Sequence, residues 1–167
     1  MIKIGKNISE FSSYSCQPKT KEELEQIIKD RISKEGTECD LNDIDVSLID
    51  DMSWLFYNSK FNGDISNWDV NNVKQMNSMF SRSEFTGDIS KWDVRNVNDM
   101  REMFMNSKFN GDLSKWNVSK VKYMYKMFVF SVFDQDISNW NIRKNCTTIF
   151  MFSGCPIKEE FKPKLPR

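Results

Sequence analysis

The sequence contains no histidine, and this absence removes a large share of enzyme chemistry. Histidine is the commonest general base near neutral pH, so triads of the Ser-His-Asp and Cys-His kinds are excluded. Four cysteines are present, but no two of them form a CxxC pair: Cys16, Cys39, Cys146 and Cys155. A zinc site is therefore not expected, and we interpret the cysteines as reduced thiols. The composition predicts a protein that is not an enzyme and binds no cofactor.

Long apolar runs and an excess of either charge are also lacking. No stretch approaches the roughly 18 apolar residues of a membrane helix, and the opening residues 1–16 lack the apolar core of a signal peptide. The 24 basic residues balance the 24 acidic ones, which argues against a general binder of polyanions. These features predict one cytoplasmic domain without membrane contact and without a small-molecule substrate.

What the chain does have is a 24-residue repeat. Five units begin at Asp40, Asp64, Asp88, Asp112 and Asp136. One apolar column consists of Trp68, Trp92, Trp116 and Trp140, with Ile44 in the first unit. Further columns are Met52, Met76, Met100 and Met124; Phe56, Phe80, Phe104, Phe128 and Phe152; and Phe61, Phe85, Phe109 and Phe133. Side chains that repeat in register form the core of stacked units, so we expect these columns to be buried.

The spacing inside a unit predicts its local structure. Val73, Met76, Met79 and Phe80 have the spacing of one helix face, which predicts an amphipathic helix of about two turns. The preceding ISxWDV run is expected to be extended, and the glycines are expected to supply permissive turn geometry: Gly63, Gly87 and Gly111. Each unit is thus predicted to hold a short strand and a short helix, giving an α/β repeat solenoid with parallel strands.

Both ends of the array have distinct sequences. Residues 20–36, TKEELEQIIKDRISKEG, carry a Thr20/Glu23 capping box, an apolar face and a stop at Gly36, which predict a capping helix at about 20–35. The apolar face consists of Leu24, Ile27, Ile28 and Ile32. The predicted division is an N-terminal segment at 1–39, the solenoid at 40–159 and a tail at 160–167.

The recurring pattern FNGDISNWDVNNVKQMNSMF resembles the leucine-rich-repeat-like units of the BspA-like, mycoplasma-lipoprotein-type repeat proteins. The resemblance covers roughly residues 40–155. It implies a leucine-rich-repeat-like solenoid, and it implies surface adhesion or protein binding as the function. Arrays of this type also occur on phages and mobile elements. Because a secretion or lipoprotein signal is not found, an intracellular binder is expected rather than an adhesin.

Charge is distributed unevenly along the array. The first unit has five acidic residues and one lysine, and Asp43, Asp45, Asp50 and Asp51 would attract a basic partner. The fourth and fifth units are basic through Lys115, Lys120, Lys122, Lys126, Arg143 and Lys144. Tyr123 and Tyr125 lie among these lysines, and cations interleaved with aromatic rings suit phosphate and bases. Nucleic acid, RNA in particular, is therefore an alternative partner at the basic end.

The fourth unit differs from the others after its predicted helix. It has Val129-Phe130 and then Val132, where earlier units have polar or charged residues such as Arg82 and Glu84. Since charged residues at these positions must reach solvent, the fourth unit is expected to expose an apolar patch beside Tyr125 and Lys126. The alternative is a tail that folds back over the patch with Phe161 and Leu165.

We therefore predict a non-catalytic protein-binding module, in the form of a phage- or mobile-element-encoded inhibitor that docks on a host protein such as a defence enzyme. Nucleic-acid binding and surface adhesion are the alternatives. The recurring Asp64, Asp88, Asp112 and Asp136 are the only plausible catalytic acids or calcium ligands. Their recurrence at equivalent positions is explained better by a structural role in turns.

Overall fold

A computed structural model of the protein describes residues 14–166. The predictions about a signal peptide, the first part of the N-terminal segment and the last tail residue fall on residues 1–13 and 167, outside the described residues. Within residues 14–166 there is one α-helix, α1 at Lys21–Glu35, and one 3₁₀ helix at Glu159–Phe161. None of these helices is long and apolar enough to cross a membrane.

Helix α1 forms at the predicted place with the predicted caps. The Thr20 hydroxyl accepts a hydrogen bond from the Glu23 N–H, and the Glu23 carboxylate accepts one from the Lys19 N–H, one residue before the cap. Gly36 ends the helix with a φ of 92°, a conformation that favours glycine. The predicted apolar face is confirmed, with Leu24 and Ile28 buried against the repeats.

The repeats form a stack of 24-residue coils, and we number them coil one to coil five from Asp40 onward. Neighbouring coils run parallel and are in register by 24 residues, as single-residue bridges show between Asp51, Gln75, Asp99, Tyr123 and Thr147. Beyond these bridges, no continuous strand occurs in the described part of the chain. The repeat and its register are confirmed, whereas the predicted strand and helix of each unit are not found.

The predicted helix is replaced by consecutive β-turns. In coil two the N–H groups of Met79, Ser81 and Ser83 donate to carbonyls three residues earlier. The intervening N–H groups, beginning with Met76 and Ser78, donate at 2.8–3.0 Å to carbonyls of coil three, 23 residues later. A helix would satisfy these donors within itself and leave neighbouring coils unbonded, whereas the turns connect every coil to the next.

We call residues 52–59 and their equivalents in each coil the turn segment. Two residues in each turn segment have positive φ, at the third position of a turn, where that backbone geometry is required. These residues are Trp54, Asn58, Ser78, Arg82, Glu102, Asn106, Lys126, Phe130, Phe150 and Gly154. The helical spacing of the buried residues is real, but it arises because the turns also place every third or fourth side chain inward.

The ISxWDV run is bent rather than extended. The Trp68 N–H donates to the Ile65 carbonyl, which forms a turn inside the run, and the Val73 N–H donates to the Val70 carbonyl, which forms a second turn at its end. Asp64 starts the first turn, because its carboxylate accepts from the Ser66 N–H at 2.8 Å. This side-chain bond competes with an extended backbone and accounts for the missing strand.

The apolar columns form the core as predicted. The four column tryptophans are 3–4% exposed, and each indole N–H donates at 2.9–3.1 Å to a carbonyl of the preceding coil. The rings of Phe56, Phe80, Phe104, Phe128 and Phe152 stack with centroids 5.5–5.8 Å apart. Each of these tryptophans fills the core with its ring and also links two adjacent coils through its indole N–H.

The coil glycines serve close packing rather than turn geometry. Gly63, Gly87 and Gly111 have no positive φ. A Cβ at Gly87 would lie 2.8 Å from the ring of Phe85, and one at Gly111 would lie 2.7 Å from the ring of Phe109. The prediction of permissive turn geometry was therefore wrong, because the missing Cβ makes room for the phenylalanine two residues earlier.

The tail packs against coil five at the C-terminal end of the stack. The Ile137 N–H donates to the Phe161 carbonyl at 3.0 Å, Pro163 is buried, and the Lys162 ammonium lies over the Phe152 ring. Phe161 is half-buried against the core, in register with Ile137 one coil earlier. The tail thus covers the side of coil five that carries Ile137. The patch around Phe130 stays exposed, which contradicts the alternative of a tail folded over that patch.

Candidate functional site

The outward side chains of the turn segments form one continuous surface, which we call the turn face. The positive-φ residues lie along it in two columns, and all but the buried Ser78 reach solvent at least partly, so their identity sets its character from coil to coil. Trp54, Ser78, Glu102, Lys126 and Phe150 form one column, and Asn58, Arg82, Asn106, Phe130 and Gly154 form the second. The first three coils are mostly polar along the second column, and the fourth is apolar.

Coils four and five expose apolar residues on this face, and Val132, directly after the turn segment of coil four, adds to the apolar patch. Phe130 is 66% exposed, Phe150 61%, Ile149 57% and Val132 50%. The two turn segments lie side by side, because the Lys126 N–H donates to the Ile149 carbonyl and the Phe130 N–H to the Ser153 carbonyl, both at 3.0 Å. The exposure of Phe130 and Val132 was predicted, whereas Ile149 and Phe150 were missed. Ile149 and Phe150 occupy the positions of Tyr125 and Lys126 one coil earlier, so a comparison of these two pairs in the sequence would have predicted their exposure.

The ring of Phe130 is held by a specific contact. A Cβ at Gly154 would lie 2.3 Å from a ring carbon of Phe130, so this ring rests directly on the glycine backbone of coil five. Gly154 also has a φ of 68°. Glycine is favoured at this position for both reasons, and it keeps the aromatic side chain in place on the surface.

Val129 does not belong to the exposed patch. Its side chain is buried, although the neighbouring Phe130 and Val132 are exposed. Its equivalents are Tyr57, Ser81 and Met105, which range from exposed to fully buried, so this position does not always reach solvent. The expectation that Val129 is exposed was therefore wrong.

Four of the predicted basic residues lie just before the turn segments of coils four and five rather than beside the apolar patch. Lys120, Lys122, Arg143 and Lys144 are all exposed, and Lys120 and Lys144 occupy equivalent positions in adjacent coils. Lys120 donates a hydrogen bond to the Asn96 side chain at 2.9 Å. We call these four residues the basic corner. Tyr123, 45% exposed, borders this corner with the Arg101 guanidinium 5.4 Å from its ring centre.

Tyr125 and Lys126 connect the basic corner with the apolar patch. Both are half-buried, and the Lys126 ammonium lies 4.9 Å from the centre of the Tyr125 ring. Hydrogen bonding to Tyr125 raises the pKa of Lys126, and Glu102 contributes a smaller effect in the same direction. The exposed predicted residues thus form one band on coils four and five, basic at one end and apolar at the other.

A notch interrupts the turn face at coil two, and sequence reasoning missed it. The notch holds about 250 Å³ and is lined by Trp54, Asn77, Ser78, Arg101, Glu102 and Tyr125. It exists because Ser78 is small where the other coils carry Trp54, Glu102, Lys126 and Phe150. The signal in the sequence was this single small residue in a column of large ones.

The repeated aspartates act in turns. Asp64, Asp88, Asp112 and Asp136 each accept a hydrogen bond at 2.8–2.9 Å from the N–H of the serine two residues later. That backbone bond is the main reason why the pKa of each of these carboxyls is lowered. The predicted structural role is confirmed. Among residues 14–166, no group of three His, Cys, Asp or Glu is arranged to hold a metal ion.

The cysteines are free thiols in this structure. Cys39 and Cys146 are buried, and burial raises the pKa of both thiols, that of Cys146 to about 11. A high pKa keeps the thiol protonated and unreactive near neutral pH. These two side chains therefore act as small apolar core residues.

Comparison with protein families gives one result that covers nearly the whole described chain. The model for "Mycoplasma protein of unknown function, DUF285" matches residues 23–129 and again 82–163. The chain belongs to the DUF285 family. The two overlapping matches extend from α1 through all five coils into the tail. This agrees with the resemblance to mycoplasma-lipoprotein-type repeats that the 24-residue pattern shows. No curated protein and no solved structure matches the chain.

Proposed function

We propose that this DUF285 chain is a protein-binding module without a catalytic role, and that it recognises its partner with the turn face of coils four and five. The observation that carries the proposal is the exposure of Phe130, Val132, Ile149 and Phe150 on two bonded coils. Contiguous apolar side chains on a surface are unfavourable unless something covers them. Burying one phenylalanine of this kind contributes roughly 1.5–3 kcal/mol to an interface.

The surroundings of the patch support a protein partner. Lys126 and Tyr125 border it, so an apolar centre has a polar, partly cationic rim, the arrangement typical of binding hot spots. Phe130 is held on Gly154 in the free chain, which reduces the entropy lost when a partner binds. The rim favours a partner with acidic side chains around an apolar surface.

The proposal extends to the biological setting and to the fold type. We infer a phage- or mobile-element-encoded inhibitor that acts inside the cell by docking on a host protein, such as a defence enzyme. This inference depends on the resemblance and on the patch. We also interpret the coils as a variant of the leucine-rich-repeat-like solenoid in which β-turns replace the helix of each unit.

Nucleic-acid binding is the second candidate, and a specific observation favours it. The basic corner places Lys120, Lys122, Arg143 and Lys144 together in solvent beside the half-exposed ring of Tyr123. Cations of this kind neutralise phosphates, and the ring can stack on a base. This corner contains none of the apolar patch, so the two candidates depend on different residues.

Affinity capture with paired variants distinguishes the candidates. The immobilised chain is incubated with a lysate of the source cells, with and without nuclease, and bound proteins are identified by mass spectrometry. The proposal predicts a protein that is retained after nuclease, lost with Phe130→Asp and retained with Asn106→Asp, the equivalent position in coil three. Reversing Lys120, Lys122 and Lys126 to glutamate should weaken binding without lowering the melting temperature.

If nuclease removed all specific binding, and if the lysine reversal weakened binding while Phe130→Asp did not, the function would be nucleic-acid binding. Binding that is equal for the parent and the Phe130→Asp variant would remove the apolar patch from the proposal.

A further inference from the structure

The notch at coil two is a built feature with fixed walls. Trp54 is 48% exposed, the other four tryptophans being buried in the core, and its ring packs edge-on against Tyr57 with centroids 4.9 Å apart. The floor is Ser78, which is 2% exposed. Trp54 and Glu102 precede and follow Ser78 in the same column, so they face each other across a gap one coil wide.

Hydrogen bonds orient the polar lining. The Ser53 hydroxyl donates to the Asn77 side-chain oxygen at 2.6 Å, which leaves the Asn77 amide N–H groups as donors. Arg101 donates to both carboxylate oxygens of Asp99 at 2.6–3.0 Å. Asp99 is buried and its charge is compensated by Arg101, whose side chain is half exposed and also lines the notch.

Glu102 is the acidic group of the notch that is left for a ligand. It makes no ion pair within 4.0 Å to another residue of the described chain. Its charge is a minor contribution to the raised pKa of Arg101, which also lines the notch, and to that of Lys126. Coil one, which forms the Trp54 wall, carries five aspartates against one lysine, and coil three, which forms the Glu102 wall, has four acidic and four basic residues. A carboxylate and an aromatic ring across a narrow gap favour a cation.

We propose that the notch binds an arginine side chain of the partner, with its guanidinium between the Trp54 indole and the Glu102 carboxylate. The guanidinium is planar, stacks on aromatic rings and donates in two directions at once, so it can contact both walls of a narrow gap. A lysine ammonium is a compact and strongly hydrated charge, which fits such a gap less well. The inference rests on the proposed protein-binding function, since a protein supplies the side chain.

Titration with capped amino acids tests the notch without the partner. The probe is N-acetyl-arginine amide, and its neutral counterpart is N-acetyl-citrulline amide, which has the same shape without the charge. Binding is followed by the indole N–H signals in ¹H–¹⁵N spectra, with the Trp54 signal assigned from Trp54→Phe. The arginine probe should shift the Trp54 signal alone and bind about tenfold more tightly than the citrulline probe.

Two variants and a control sharpen the test. Glu102→Gln should weaken binding of the arginine probe about tenfold, while Glu84→Gln, outside the notch, should leave it unchanged. Ser78→Lys should abolish binding by filling the notch, and it should fold because Lys126 occupies the equivalent position in coil four. Phe130→Asp should bind the probe normally, so a failed notch and a failed apolar patch are distinguishable.

Equal binding of the arginine and citrulline probes would overturn the inference, because the site would then not select charge. The same holds if the Trp54 signal stays in place, or if Glu102→Gln binds as tightly as the parent.

Discussion

The tryptophan column shows most clearly how single residues hold this fold. Sequence periodicity predicted that these residues are buried, because a column in register has to fill a shared core. It could not predict the indole hydrogen bonds, since the acceptor is a backbone carbonyl 27 residues earlier. The same limit applied to Gly87, whose role depends on a ring contact that appears only when the coil is built.

We expect Trp92→Ala to lower the free energy of unfolding by about 3–5 kcal/mol, because a large buried side chain is removed. Trp92→Phe keeps most of the apolar volume but removes one of the two hydrogen bonds to the Ile65 carbonyl, which still accepts the Trp68 N–H, and this should cost about 0.5–1.5 kcal/mol. Urea denaturation of the three proteins gives both values. If Trp92→Ala melted within a degree or two of the parent, the column would not carry the core.

Among the site residues, sequence comparison between units found Phe130 and Val132 but placed Val129 wrongly. The comparison assumed that a position occupied by a polar residue in one unit is exposed in all. Ser81 disproves this assumption, because it is polar and fully buried, with its hydroxyl bonded to a backbone carbonyl of coil three. Polarity alone therefore does not report which side of a turn a residue occupies.

At the scale of elements, α1 was predictable and the turn segments were not. Helix α1 has local signals, a capping box and a stop glycine, that act within one segment. The turn segments share their inward spacing with a helix, and their geometry is decided by bonds to neighbouring coils. Asparagine at two of the positive-φ positions, Asn58 and Asn106, was the local sign of a left-handed residue.

Substitutions at Arg82 test the turns directly. Arg82 is exposed and has a φ of 59°, so a β-branched residue there is strained, whereas asparagine tolerates the conformation. We expect Arg82→Val to be less stable than Arg82→Asn by about 1–2 kcal/mol in urea denaturation. Equal stabilities would point to ordinary helical geometry at this position instead.

At the scale of the whole molecule, the aspartate turns make stability depend on pH. The pKa of Asp88 is lowered, mainly because its carboxylate accepts the Ser90 N–H, and Asp64, Asp112 and Asp136 share this arrangement. A lowered pKa in the folded state means that the stabilisation is present above the unfolded value near 3.8 and is lost as the pH falls through the folded value. Stability should therefore fall together at several coils below about pH 4.

Asp88→Asn isolates one of these turns, because asparagine keeps the acceptor oxygen and removes the charge. We expect the variant to be less stable than the parent at pH 7 and the difference to shrink as the pH falls towards 3, where the parent aspartate becomes protonated. Urea denaturation across this range measures the difference. A difference that stays constant with pH would show that the charge of Asp88 does not stabilise the fold.

The stack also has an unpaired edge beneath the apolar patch. In the described chain, the N–H groups of Thr148, Phe150, Phe152 and Gly154 have no acceptor, whereas their equivalents in coil four donate to coil five. Amides without an acceptor exchange quickly with solvent, so covering them changes their exchange rate strongly. This edge therefore gives a sensitive readout for a partner on coils four and five.

Hydrogen exchange of the chain with and without its captured partner tests whether the turn face of coils four and five is the recognition surface. We expect slower exchange on binding in peptides that cover residues 126–132 and 148–154, and unchanged exchange in residues 64–70 of coil two, which belong neither to the turn face nor to the notch. Protection confined to the basic corner, or to the side of the stack opposite the turn face, would contradict the account.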